Sequence, residues 1–144
     1  MAVGDEAVTI ELLGNGGDPV RFTCADATGI SAGCIMALKE PRTAIAGSTV
    51  TGGDVMAGIA CAEKEAGDGA TSIAGYTHGI FDMKLGTVDT VQVGDLITMS
   101  GINLIAGTAG LVTATQAYTS GLVIGKALET GSASEVIAVL VGGR

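Results

Sequence analysis

Tryptophan is absent from this chain of 144 residues, which has two phenylalanines, two tyrosines, two prolines and one histidine. Without bulky rings, a core must be filled by Ala, Val, Ile and Leu, the main contributors to the 47% hydrophobic fraction. Aromatic side chains bury the largest areas, so here small aliphatic contacts must offset the backbone entropy of 24 glycines. That balance favours assembly with copies of the same chain over a solitary monomer. A sugar-stacking platform has little to draw on, because Phe22, Tyr76, Phe81 and Tyr118 are all the rings of this kind there are.

Positive charge is equally scarce. Seven Lys and Arg against fifteen Asp and Glu give a formal net charge of −8, which repels a phosphate backbone and argues against direct nucleic-acid contact. The acidic residues are dispersed without a long block, the pattern of a solvated face. No apolar run approaches the ~20 residues a helix needs to cross a bilayer, so no membrane partner is expected. Met1-Ala2-Val3-Gly4-Asp5-Glu6 lacks the basic start and apolar stretch of a signal peptide, and synthesis in a cytosol follows as an expectation. Cys24, Cys34 and Cys61 cannot all pair within one chain and form no C-x-x-C motif. They read as small buried hydrophobes, with a disulfide between two of them left open.

Groups that do chemistry are few. His78 would have to anchor any general acid–base site, and Asp82 would share its face of a strand, but no nucleophile in a recognisable elbow accompanies them. One His and three scattered Cys lack the paired spacings of a zinc site. Gly14-Asn15-Gly16-Gly17 has no lysine in the P-loop position and reads as a turn. Asp54, Asp68 and Asp95 fall in no EF-hand pattern. No catalytic residue, cofactor or metal is therefore expected.

What the chain does have is an internal echo. Ile30-Ser31-Ala32-Gly33-Cys34-Ile35-Met36-Ala37-Leu38 is matched by Val91-Gln92-Val93-Gly94-Asp95-Leu96-Ile97-Thr98-Met99, with glycine at the same place in an apolar frame. Met56-Ala57-Gly58-Ile59-Ala60-Cys61-Ala62-Glu63 resembles Val123-Ile124-Gly125-Lys126-Ala127-Leu128-Glu129, and a Gly/Ser-rich turn and an apolar run follow each. Two units of one strand-turn-strand pattern predict a pseudo-symmetric domain. Gly33 and Gly94 are expected to supply the turn conformation that redirects the next strand.

Strands are predicted over residues 7–13, 20–24, 34–38, 55–66, 72–83, 96–100, 104–106, 111–115, 121–129 and 135–141, separated by loops rich in Gly, Ser and Thr. The stretch 55–66 also has helix-favouring Ala and Glu, but its duplicate and flanking glycines favour a strand. Residues 42–46 lead into a loop after Pro41. Residues 7–13 read either as an ordinary first strand or as an arm that pairs with a neighbouring sheet edge. The prediction is all-β: a small barrel or sandwich of short antiparallel strands, internally duplicated, with an N-terminal arm. Residues 1–19 form the arm or first strand with its loop, and 20–144 one β domain.

Five features taken in order carry a resemblance. They are Ile30-Ser31-Ala32-Gly33 with its strand, Gly58-Ile59-Ala60 with the acidic Gly67-Asp68 turn, Gly79-Ile80-Phe81-Asp82-Met83, Val93-Gly94-Asp95-Leu96, and Gly125-Lys126-Ala127-Leu128-Glu129-Thr130 running on to Val141. Over roughly residues 20 to 141 the chain resembles the head-decoration proteins of tailed viruses, in particular the DUF2190-like capsid cement proteins. The resemblance implies a barrel-like subunit without an active site, usually a homotrimer, on the outer surface of an icosahedral bacteriophage capsid where major capsid protein subunits meet. Val8, Ile10, Leu12 and Arg21 are then expected near the shell-binding surface, and Ile102, Asn103 and Leu104, within residues 102–110, at the contact between copies. The alternatives are a tail-tube or other virion subunit, or a small β-barrel enzyme or ligand-binding module using His78 and Asp82.

Overall fold

The computed structural model describes residues 6–12, 19–45, 55–86, 90–101, 104–108 and 123–142. Eleven strands run through them: β1 (Val8–Glu11), β2 (Val20–Thr23), β3 (Ile35–Lys39), β4 (Thr43–Ile45), β5 (Met56–Ala60), β6 (Ser72–Tyr76), β7 (Gly79–Leu85), β8 (Leu96–Gly101), β9 (Leu104–Thr108), β10 (Val123–Ala127) and β11 (Val136–Val141). The predicted strand at 111–115 lies outside the described residues.

The first sheet closes on itself in the order β2-β4-β3-β5-β6. The second runs β7-β11-β10-β8-β9 and closes through a β7–β9 pairing, with β1 added outside β7. These are the same five-stranded ring made twice. In each the first and third strands in chain order pair in parallel, Thr23 with Thr43 and Lys84 with Leu104, while the other neighbours are antiparallel. Even the bulge recurs: Ala57 is skipped opposite β3 and Ile124 is skipped opposite β8. An isolated bridge seals one end of each ring, Ile30 with Lys64 and Val91 with Gly131.

Closure explains the burial pattern, since every second residue of a barrel strand points inward. Phe22, Cys24, Ile30, Met36, Ala44, Ala57, Ala60 and Ile73 fill the first barrel. Met83, Leu85, Val91, Ile97, Ile105, Ile124, Ala127 and Ile137 hold the corresponding places in the second. Ile35, Ala37 and Ile59 alternate with inward residues and so face out of the first barrel, yet they are almost fully buried in one cluster with the second barrel's core. Two such isoleucines contribute about 1.5–3 kcal/mol each by burial, enough to hold two small barrels together.

Three expectations change. Residues 72–83 were expected as one strand, but Thr77 and His78 interrupt it, because β6 ends one barrel and β7 begins the other. Residues 43–45 form a strand, β4, where the sequence reads only as leading into a loop; three residues after a turn carry too little period to be read. Within 55–66 the strand ends at Ala60, where the chain turns toward the Ile30–Lys64 bridge.

Residues 7–13 do contain a strand, and β1 pairs with β7 of its own chain, Val8 opposite Asp82 and Thr9 opposite Phe81. Its root touches the first barrel, since the Ala7 N–H donates to the Gly33 carbonyl at 2.8 Å. One segment thus staples both barrels. Gly33 has φ 87°, and a Cβ there would lie 2.5 Å from the Ala7 carbonyl oxygen. Gly94, its duplicate, has φ 92° but faces open space.

This pair separates backbone conformation from arm contact. Gly94→Ala is expected to cost about 1 kcal/mol through its left-handed φ alone, and Gly33→Ala ~2 kcal/mol more through the collision with the arm. Urea denaturation of the two variants measures the difference.

Candidate functional site

His78 sits outside any strand, in the two-residue link between the barrels, exposed, with Nδ1 3.0 Å from the Thr77 hydroxyl. Asp82 lies within β7, between Val8 and Ala138. The shared strand face expected for the two does not exist, because the link breaks the strand before Gly79. Phe22 and Phe81 are spent on the cores, and Tyr76 rests against Phe81 with ring centroids 6.1 Å apart.

All three cysteines are free; Cys24 and Cys34 are buried and Cys61 is half-buried. Burial pushes the Cys61 thiol up, against a smaller opposite effect of its hydrogen bond with Tyr76. Burial, then the Cys61 charge and the same hydrogen bond, push the Tyr76 hydroxyl up too. Cys24 is likewise raised by burial, with Lys64 opposing and Asp68 and Asp26 adding to the shift. A thiolate is disfavoured at both cysteines.

One heavily bonded charged group was not singled out in the sequence. Lys64 is only 4% exposed, and its Nζ donates to the carbonyls of Asp26 (2.8 Å), Thr28 (3.0 Å) and Glu65 (3.2 Å) while pairing with Asp68 Oδ1 at 3.2 Å. Asp26 continues the lacing by accepting the Gly69 N–H on Oδ1 (2.6 Å) and the Gly67 N–H on its carbonyl (2.8 Å). The lysine therefore fastens two loops across one end of the first barrel. The duplication explains how it fits. Lys64 takes the place of Gly131, where a Cβ would meet Ile137 Cγ2 at 2.5 Å and Leu85 Cδ1 at 3.1 Å. In the first barrel Cys24 stands where the second has Leu85, and the smaller side chain leaves room for the lysine stem. Comparing the two halves residue by residue would have exposed this exchange.

Of the expected shell-contact residues, Val8 and Ile10 are 59% and 52% exposed on β1, whose outer edge has no strand partner among the described residues. Leu12 is half-buried against the core. Arg21 lies on the other barrel's sheet, exposed, with Nη1 donating to Ser72 Oγ at 3.1 Å. Of the expected contacts between copies, Ile102 and Asn103 lie outside the described residues, and Leu104 begins β9.

Surface pockets lined by described residues include the following two. One, of about 450 Å³, lies at the Val91–Gly131 bridge among Thr90, Gln92, Asp95, Thr130 and Ser132; there Asp95 accepts the Gln92 N–H (2.9 Å) and Thr130 the Val93 N–H (3.1 Å). The other, of about 320 Å³, is lined by Arg21, Phe22, Thr23, Arg42 and Ser72. Among the described residues, no group of three or more His, Cys, Asp or Glu is placed to hold a metal ion.

Lys64→Met is expected to leave three carbonyls without their charged donor and to destabilise the protein by about 2–4 kcal/mol in chemical denaturation. A second outcome concerns acid. The Ala70 N–H, and to a lesser extent Lys64, hold the Asp68 carboxyl below its ordinary value. Its stabilisation is thus full above the ordinary carboxylate pKa and is lost as pH falls through the depressed one. Stability measured from neutrality to about pH 3 should fall less steeply in Asp68→Asn than in the wild type.

No family model matches the chain, and no curated protein matches it. Among solved structures it is similar to the N base of the head fiber protein gp8.5 of bacteriophage phi29, at a TM-score of 0.48 and 16% identity over 86% of this chain and 94% of that one.

Proposed function

We propose that this chain is a virion structural protein that binds the outside of an icosahedral capsid and stabilises contacts between major capsid subunits, acting as a homotrimer and without catalysis. The observation that carries the reading is β1. It is stapled to both barrels, paired along one edge, and presents Val8 and Ile10 outward. An edge strand whose outer side has no strand partner among the described residues, and whose apolar side chains are exposed, is suited to adding onto a neighbour's sheet or groove. Both barrel interiors are filled with side chains, so binding falls to the exterior. Many symmetric copies of a weak contact would together oppose the separation of shell subunits. The order of motifs by which the sequence resembles capsid cement proteins supports the same assignment.

Because Val8 and Ile10 point to solvent, Val8→Ser with Ile10→Ser should leave the fold intact, with no like charge set opposite Asp82, while greatly reducing coating of undecorated heads. Electron microscopy of heads mixed with each protein reads the result. Normal coating by the folded double variant would sink the proposal.

A further inference from the structure

We infer that the pocket between Arg21 and Arg42 binds an oxyanion, and that its occupant in the assembled particle is the side-chain carboxylate of an Asp or Glu on a neighbouring polypeptide. The choice of neighbour rests on the particle-surface reading above, whereas the pocket stands without it. Two of the chain's seven cationic residues line one recess of about 320 Å³, and no carboxylate lines it with them. In a chain of net charge −8, a recess lined by two arginines and no acid is a local reversal of sign.

The fold does not demand Arg21. The second barrel has the same strand register, and by that register Asp82 stands at the place of Arg21 and Val136 at that of Ser72. Arg42 is also held where an arginine is costly, at φ 50°, in the left-handed region that Gly and Asn enter most easily. Its carbonyl fixes it there, accepting from the Thr23 N–H (3.0 Å) and the Thr23 hydroxyl (3.2 Å). Strain kept at a solvent-facing cation points to a use for its side chain.

The remaining donors set the ligand's shape. The Thr23 N–H is taken by Arg42, and the Thr23 and Thr43 hydroxyls lie 2.8 Å apart, with Thr43 also near the Pro41 carbonyl at 3.1 Å. Ser72 already accepts from Arg21. What is left is guanidinium N–H, whose planar fork matches a carboxylate, and no nest of backbone N–H groups that would wrap a tetrahedral anion is among the described pocket residues.

The test titrates the full chain with blocked glutamate (acetylated and amidated), with inorganic phosphate, and with chloride at matched ionic strength, following Arg21 and Arg42 side-chain NMR signals. Blocked glutamate should give saturable millimolar binding, weakened roughly fivefold or more by Arg21→Gln or by Arg42→Asn. Arg42→Asn should also keep or raise the thermal midpoint. Shifts that follow ionic strength identically in all three salts would overturn the site, and saturation by phosphate without blocked glutamate would overturn the carboxylate occupant. Because no capsid enters this titration, the pocket and the particle-surface reading can each fail alone.

Discussion

Ile35, Ala37 and Ile59 face out of a closed barrel, and the rest of the architecture depends on keeping water away from them. Their covering comes from the second barrel's core and from the arm residue Ala7, all in one apolar cluster. A lone first barrel would expose two isoleucines on neighbouring strands, where they sit directly opposite each other's row, Ile35 against Ile59. The corresponding positions in the second barrel are Leu96, Thr98 and Lys126, half-buried and mostly polar. The pair is therefore directional: the first barrel offers an apolar outer face and the second does not repeat it. Growth by the same contact stops at two.

That asymmetry turns the duplication into an internal control. Positions that build the ring keep their character in both halves, as with Ile73 and Ile137 or Ala60 and Ala127, whereas bulk is exchanged locally where a neighbour allows it. Leu85 beside Gly131 and Cys24 beside Lys64 are two solutions to one volume, the first apolar and the second fastened by charge-assisted hydrogen bonds. The lysine is not required by the barrel, because its duplicate closes without one. It is required by the loops it ties, whose carbonyls would otherwise turn inward without a donor.

The all-β character and the repeat are legible in the sequence because a ring closed twice imposes the same glycines twice. Gly33 and Gly94 share a positive φ, and the echoed Gly58 and Gly125 sit beside the repeated bulge, close to the backbone of β6 and β11. What stays hidden is pairing at long range. Parallel contacts between β2 and β4 and between β7 and β9 join strands with no periodic signal linking them, and β4 is too short to show a period at all. The boundary between the barrels is hidden for a related reason: Thr77 and His78 interrupt a run that reads as one strand on either side of them. Lys64 was missed because a lysine among Glu63, Glu65 and Asp68 looks like part of a solvated face, and its burial is visible only once Ile30 is known to be its bridge partner.

Four small side chains in the core of the first barrel have a further consequence for the molecule's surface. Cys24, Ala44, Ala57 and Ala60 give that barrel less apolar volume than Leu85, Ile105, Ile124 and Ala127 give the second. Less burial per strand leaves more of the first barrel's cohesion to polar fastening, and it carries it in two places: Lys64 with the loop carbonyls at one end, and Thr23, Thr43 and the Pro41 and Arg42 carbonyls beside β4. These networks fix loops that a purely apolar barrel would leave to solvent. The same rigidity holds Arg21 and Arg42 at the rim of one recess, so the barrel with the lighter core is also the one whose polar exterior is most closely positioned.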